Sequence, residues 1–512
     1  LVIGAFLCLA TARAQQPCAR CHPSETATFE QSPMGRSVGP PSVFEEGRIV
    51  HKLSGSTITI QQHDSQLEHR LERRGVVAKY PVAYSVGAGI VGYSYLVRLG
   101  RYLFQSPVSY YTQTKSWDLT PGYETDSHLD FTHQITSGCL FCHTGSVDLV
   151  KGTDNQFGDP PFTPISCERC HGSAAAHLKN PGPGSIVNPA KLASAQRDSV
   201  CEQCHLEGDT RILNPGRDWW DFEAGQSTES VFVTYLRPAT RGTLRAVSQS
   251  ELLARSRCAR ESGGHLWCGT CHNPHGSRDS RAQAIQKVCL SCHSELFATG
   301  RHKPAEECVS CHMPRLRPTN VAHSAVTDHS IPRKPRAQAP EAEDTSLKAW
   351  RQPVDAKLAR RDLGLAYFEM ASASHAAPDL LQAYQILSKL PIEDRHDPAV
   401  EADLGSVLLA QSQTQLAIQL FSRASAQQPE NARYVYCLGT ALEHAGKTEE
   451  AVKELKHSIE LDPSRPDAYL ELAQLYKNSN RETESRNALQ EYLRFMPQNL
   501  QLRSTGFTEP RP

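Results

Sequence analysis

Seven copies of the pentapeptide Cys-x-x-Cys-His punctuate this chain of 512 residues, and any fold it adopts must serve all of them. They are Cys18, Cys21 and His22; Cys139, Cys142 and His143; Cys167, Cys170 and His171; Cys201, Cys204 and His205; Cys268, Cys271 and His272; Cys289, Cys292 and His293; and Cys308, Cys311 and His312. Two thiols with two residues between them can add to the two vinyl groups of a porphyrin, and the adjoining imidazole then reaches the iron as proximal ligand. Structural zinc also uses Cys-x-x-Cys pairs but has no need of a histidine directly after each one. The repeat therefore predicts seven covalently bound haem c groups, each with its iron. A chain that packs around porphyrin faces needs fewer apolar side chains of its own, in keeping with 39% hydrophobic residues.

The motifs absorb fourteen of the seventeen cysteines and leave Cys8, Cys258 and Cys437. Cys8 lies in the apolar stretch from Leu1 to Ala10. With Ala12-Arg13-Ala14 behind it, this reads as the remainder of a signal peptide over residues 1–14, cleaved near Gln15. The mature chain is then expected outside the cytoplasm, periplasmic or extracellular, where covalent haem is attached in bacteria. The apolar run is too short to span a bilayer, so no transmembrane span is expected in the mature chain. Cys258 and Cys437 read as buried free thiols, with a disulfide between them as the alternative. A formal charge of −1 and the lack of any basic run give no footing for nucleic acid.

Residues 15–42 carry the first motif. Residues 43–125 alternate in the manner of strands at Thr57 to Ile60, Val82 to Tyr84, Tyr93 to Val97 and Tyr102 to Phe104, with Gly87, Gly89, Gly92, Gly100 and Pro107 between them. That pattern predicts a small antiparallel β insertion. Residues 126–332 carry the other six motifs among Gly- and Pro-rich loops, with one short helix expected after each attachment site. Residues 333–353, with Pro335, Pro340 and Pro353, read as a linker. From 354 to 500 a period of thirty-four takes over. Leu404-Gly405, Ala417, Phe421, Ala424 and Pro429 are matched by Leu438-Gly439, Ala451, Leu455, Ser458 and Pro463, and more weakly by Leu472-Ala473, Ser485, Leu489, Tyr492 and Pro497. This is the tetratricopeptide (TPR) register, in which small residues sit where paired helices cross and a proline closes each unit. Leu363-Gly364 and Tyr367 mark a degenerate first unit, and residues 501–512 are a tail. The expected fold is multidomain: an irregular, haem-packed cytochrome c domain with a β insertion, followed by an all-α TPR solenoid.

Electron carriers fill both axial positions of the iron, whereas catalytic haems keep one open. The candidates for a second ligand are ranked by position. His177 follows the third motif and His275 the fifth; each is held by a haem-binding turn but points away from its own iron, so each suits a neighbour. His302 precedes the last motif, His128 and His133 precede the second, and His323 and His329 follow the last. Met34 is a candidate thioether ligand to the first haem, and a soft sulfur there would raise its potential. His51, His63, His69 and His265 read as ordinary surface or strand histidines. With supply above demand, a closed relay is favoured over an enzyme.

Further stretches carry a family likeness: CARCH with SPMGRS, PVSYY with WDLTPGY, CERCHGSAAAH with IVNPAKL, CEQCHLEGDTRIL, SRCARESGGHLWCGTCHNPHG, CVSCHMPR and TDHSIPR. In these the chain resembles exported bacterial multihaem cytochromes c with doubled CXXCH motifs and C-terminal TPR repeats. Its haem-packing part also looks like the tetrahaem electron acceptor of hydroxylamine oxidation in nitrifiers. The resemblance implies closely stacked, mostly bis-histidine haems and electron transfer, without naming donor or acceptor. The function expected is electron transfer between redox-partner proteins, docked by the TPR domain. The rival is an oxidoreductase acting on a small nitrogen or sulfur compound at one five-coordinate haem, where Asp126, Asp130 or Arg211 could assist.

Overall fold

The computed structural model describes residues 17–42, 44–63, 66–238, 244–276, 281–296, 307–333 and 345–504. The leader read over residues 1–14, Cys8, His302, most of the expected linker and the last eight residues lie outside them.

Alternation of buried and exposed positions makes the first part a sheet. Its strands are β1 (Val38–Gly39), β2 (Gly47–His51), β3 (Ser56–His63), β4 (Gln66–Arg73), β5 (Val76–Val86), β6 (Gly92–Leu99), β7 (Tyr102–Tyr111) and β8 (Ser116–Leu119). They pair antiparallel in the order β2-β3-β4-β5-β6-β7-β8, with β1 on β5. Arg74 and Gly75 join β4 to β5 with φ of 50° and 79°, the two left-handed residues that a tight hairpin of this twist requires. The meander curls until β2 lies beside β8. There the Trp117 ring covers Gly47, so closely that a Cβ on Gly47 would stand 2.4 Å from it, and the indole N–H donates to Glu45 O at 2.8 Å.

In the motif-bearing part, the expectation of a helix after each attachment site gives way to a different rule. The pentapeptide is itself a helical turn. His22 N donates to Cys18 O at 2.8 Å, His171 N to Cys167 O at 3.0 Å, His272 N to Cys268 O at 2.9 Å and His293 N to Cys289 O at 3.1 Å. One turn of α-helix sets both thiols and the imidazole on one side. Single turns therefore form at Glu168–His171, Cys268–Cys271 and Cys308–His312, while the fourth and sixth motifs end the longer helices Ser194–His205 and Arg281–Cys292. Among the described residues the first motif leads directly into the helix Pro23–Glu30, and the sixth into the short 3-10 turn Ser294–Leu296.

The C-terminal part is a stack of helix pairs: Leu358–Ser374 with Ala377–Leu387, Pro398–Ala410 with Thr414–Gln427, Ala432–His444 with Thr448–Leu461, and Pro466–Asn478 with Glu482–Phe495. A Cβ at Gly405 would meet the Phe421 ring at 2.8 Å and one at Gly439 would meet Leu455 at 2.9 Å, which is why small residues recur at that offset.

The solenoid lies against the rest of the chain at both ends. Tyr80, Phe104 and Phe131 of the sheet side share one apolar core with Leu455, Tyr469 and Tyr492 of the last repeats. Phe495 packs edge-on to Tyr102 at 4.8 Å. Leu500 N donates to Asp130 Oδ2 at 2.8 Å, and Arg503 Nη1 to Val77 O at 2.8 Å. At the other end Arg237 pairs with Asp379 at 2.6 Å, and Arg361 donates to Leu213 O at 3.1 Å. The end of the expected linker is anchored too. Lys348–Ala349 pairs with the strand Phe232–Leu236, Trp350 Nε1 donates to Glu202 Oε1 at 3.2 Å, and Arg351 bridges Glu202 (2.5 Å) and Glu229 (3.2 Å).

Candidate functional site

All seven motifs open onto one cavity of about 3500 Å³. Shared among seven motifs that is about 500 Å³ each, the size of an ordinary ligand site. Cysteines of different motifs meet across it. The thiols of Cys18 and Cys167, Cys142 and Cys204, Cys201 and Cys268, and Cys289 and Cys308 lie close enough to interact. None of the described cysteines, Cys258 and Cys437 included, forms a disulfide. Among the described residues no three His, Cys, Asp or Glu side chains converge as a bare metal ion would require.

Among the described residues three motif histidines face a second imidazole. His22 and His177 are stacked with ring centres 6.4 Å apart and planes 22° apart; His171 and His275 stand at 5.8 Å and 11°, and His272 and His329 at 6.2 Å and 32°. Direct ring stacking would bring them much closer. Two metal–imidazole bonds of about 2.0 Å, plus about 1.1 Å from each nitrogen to its ring centre, call for about 6.2 Å. The three gaps thus fit an iron between the rings.

The ring nitrogens are committed in the same sense. His171 Nδ1 lies 2.8 Å from Val187 O, His312 Nδ1 3.0 Å from Pro332 O, His329 Nδ1 3.0 Å from Thr327 O, and His177 Nδ1 2.7 Å from Ser185 Oγ. Against a carbonyl Nδ1 must be the donor, which leaves Nε2 as the lone-pair nitrogen and fixes the ring direction, as ligating histidines need. Burial pushes His143 and His205 below the ordinary histidine range, which favours the neutral, metal-binding form. The residues present therefore fit haem iron.

Of the second-ligand candidates, Met34, His177, His275 and His329 line the cavity. His128, His133 and His323 do not. His128 is exposed beside Ser127, His133 stacks on Tyr123 at 4.1 Å, and His323 pairs with Asp118 at 2.5 Å. His51 spends both ring nitrogens on Ser54 and Glu124, and His69 is sealed inside the sheet against Ser106, where burial lowers its pKa to about 3. Asp126 and Asp130 are outside the cavity wall; Arg211 is in it. Three wall residues escaped the sequence reading: Met313, masked by standing next to a motif; Gln249, whose side chain bonds His205; and Arg169, inside the third motif. Besides the motif histidines, the wall among the described residues holds five His or Met side chains: Met34, His177, His275, Met313 and His329.

The family "cytochrome c554 and c-prime" matches residues 108–172, and the doubled CXXCH motif family matches 261–298. Tetratricopeptide repeat families match 402–466 and 442–504. The multiheme cytochrome MtrA of Shewanella baltica (strain OS185) is 30% identical over 183 residues, which cover 32% of this chain and 55% of that protein. The chain thus spans about half the length of the curated relative it matches. Among solved structures, MamA overlays with 18% identity, 30% of this chain, 90% of its own and a TM-score of 0.24. A Thermobaculum terrenum O-GlcNAc transferase mutant overlays with 22% identity, 27% of this chain, 26% of its own and a TM-score of 0.25. With its Cys-x-x-Cys-His motifs on one cavity and helix pairs in the thirty-four-residue register behind it, the chain is a multihaem c-type cytochrome carrying tetratricopeptide repeats.

Proposed function

We propose that this chain is an exported heptahaem cytochrome that passes electrons through a relay of neighbouring haems, while its TPR solenoid docks a redox-partner protein. The observation that carries the reading is the set of three imidazole pairs at 5.8–6.4 Å, each drawn from two separate parts of the chain. Haem, when bound, supplies one-electron chemistry at its iron. The rest falls to the protein. His22, His143, His171, His205, His272, His293 and His312 would hold the irons, and His177, His275 and His329 would supply the second ligand for three of them. Paired ligation keeps the coordination shell constant between oxidation states, which suits transfer without chemistry. Sulfurs that meet across motifs make their haems neighbours, and Val187, Thr327, Pro332 and Ser185 orient the ligating rings. Among the described residues no helix is long and apolar enough to cross a membrane.

A second reading has its own support. Among the described residues the wall holds five second-side donors beside the seven motif histidines, and an iron left without one would be open to a small nitrogen or sulfur compound. One experiment separates the two. The relay predicts seven haems per chain by pyridine haemochrome, low-spin spectra in both oxidation states, and little carbon monoxide uptake on reduction. Stoichiometric carbon monoxide binding, with nitrite or a related compound turned over, would replace the relay with the enzyme.

A further inference from the structure

The haem relay is the starting point for a second question: where along it electrons collect. Two guanidinium groups stand at the meeting of the second and fourth motifs. Arg211 Nη1 lies 4.0 Å from Cys142 Sγ, and the Cys142 thiol is close to that of Cys204. Arg169 donates to Phe141 O at 2.9 Å, with its Cζ 4.3 Å from the centre of the Phe141 ring and 5.0 Å from that of Trp220.

Among the described residues neither charge is cancelled by a protein side chain. Arg211 spends its donors on the main-chain oxygens of Gln203 (3.0 Å), Glu202 (3.5 Å) and Leu206, its Cζ lies 5.2 Å from the Phe232 ring, and its Nε is buried without a partner. Among the described residues no carboxylate lies within ion-pair reach of either guanidinium. The acidic groups on the adjoining stretch are drawn elsewhere: Asp209 pairs with Arg245, and Glu207 feels Arg245 more than Arg211. An arginine cannot shed its proton to relieve this, and a half-buried charge is poorly screened. Reduction adds one negative charge at an iron and makes or breaks no bond; the electron comes from a one-electron donor through the other haems. A fixed cation nearby stabilises the reduced form and so raises the potential.

We propose that Arg169 and Arg211 make the adjoining haems of the second and fourth motifs the electron-collecting pair of this chain. This rests on the relay reading, and both arginines act as positioning charges that hold no iron.

The test is a spectroelectrochemical titration of the full-length holoprotein, with haem content counted in parallel, for the native chain and for Arg211→Gln, Arg211→Lys and Arg169→Gln. In the native chain two of the seven haems reduce first. Arg211→Gln and Arg169→Gln move that two-haem component to lower potential, leaving the other five in place, and Arg211→Lys restores most of the shift. Arg169→Gln carries the test alone if Arg211→Gln fails to load haem. Superimposable titrations on fully loaded, low-spin protein overturn the inference and leave the relay standing. An Arg211→Lys shift equal to that of the glutamine variant also overturns it, since packing rather than charge would then be responsible. A native chain dominated by carbon monoxide-binding irons removes the relay, and the inference with it.

Discussion

His275→Ala is the sharpest perturbation of the proposed ligand set, because the structure isolates the imidazole from everything else it could disturb. The ring faces His171 at 5.8 Å with planes 11° apart, the most parallel of the three pairs. Its main chain is held independently: His275 N donates to Asn273 Oδ1 at 3.0 Å, and Thr28 Oγ1 donates to His275 O at 2.5 Å. The loop therefore stays in place when the side chain is cut back. What changes is one iron of seven. Its low-spin signal, about one-seventh of the whole, becomes high-spin, and carbon monoxide uptake by the reduced protein rises by one per chain. Added free imidazole refills the site and returns the spectrum. The assay is an optical and paramagnetic-resonance titration of the full holoprotein with its haem content counted. Unchanged carbon monoxide uptake at full loading would refute the pairing, as would the loss of several low-spin haems together, which would signal a collapsed cavity.

Three further outcomes rest on the packing. Arg351→Met strips the guanidinium partner from Glu202 and Glu229, both 5% exposed, and is expected to cost about 3–5 kcal/mol in urea unfolding; an unchanged midpoint would mean the two carboxylates are not held as a charged cluster. Burial raises Asp130 from 3.8 to about 6, so the folded chain binds this proton more tightly than the unfolded one. That contribution is fully present below pH 3.8 and is lost as the pH rises through about 6. A shift of this size corresponds to about 3 kcal/mol, so the stability of Asp130→Asn relative to the native chain should improve by about that much between about pH 3.5 and about pH 7.5; a flat difference would show that Asp130 is not the titrating group. Gly405→Val places a branched side chain where even a Cβ would meet Phe421 at 2.8 Å, and thermal melting should report a loss of about 1–3 kcal/mol; an unchanged melt would mean the helix pair can part freely.

The attachment sites were legible because covalent chemistry confines them to five contiguous residues, and the repeats were legible because their period is set by helix pairs that contact only neighbours. The second ligands were harder. His177 and His275 read as suited to a neighbouring haem, but nothing near either residue says which one: His177 faces His22 of the first motif and His275 faces His171 of the third. His128 and His133 illustrate the failure: they precede the second motif, but their segment is bound into the sheet. The sheet itself is larger than the alternating apolar runs implied. In β4 the inward positions include His69 and Arg73 beside Leu67 and Leu71, so the two-residue rhythm is hidden behind polar letters. Trp350 and Arg351 sit in a polar, proline-bearing stretch and still anchor it, because their carboxylate partners lie more than a hundred residues earlier.

The seams at both ends of the solenoid change what a docking module can do. A partner captured by repeats on a loose tether samples many distances from the cofactors, and its transfer rate is an average dominated by rare close approaches. Here Asp130, Arg503, Arg237 and Arg361 clamp the repeats to the sheet and to the cavity-bearing part. If the array docks a partner as proposed, it would act as a jig with a fixed offset from the cavity, and capture and alignment would become a single event. On that reading, loosening a seam should leave partner affinity intact while spreading the transfer rates, and the seam rather than the docking face would set the timing.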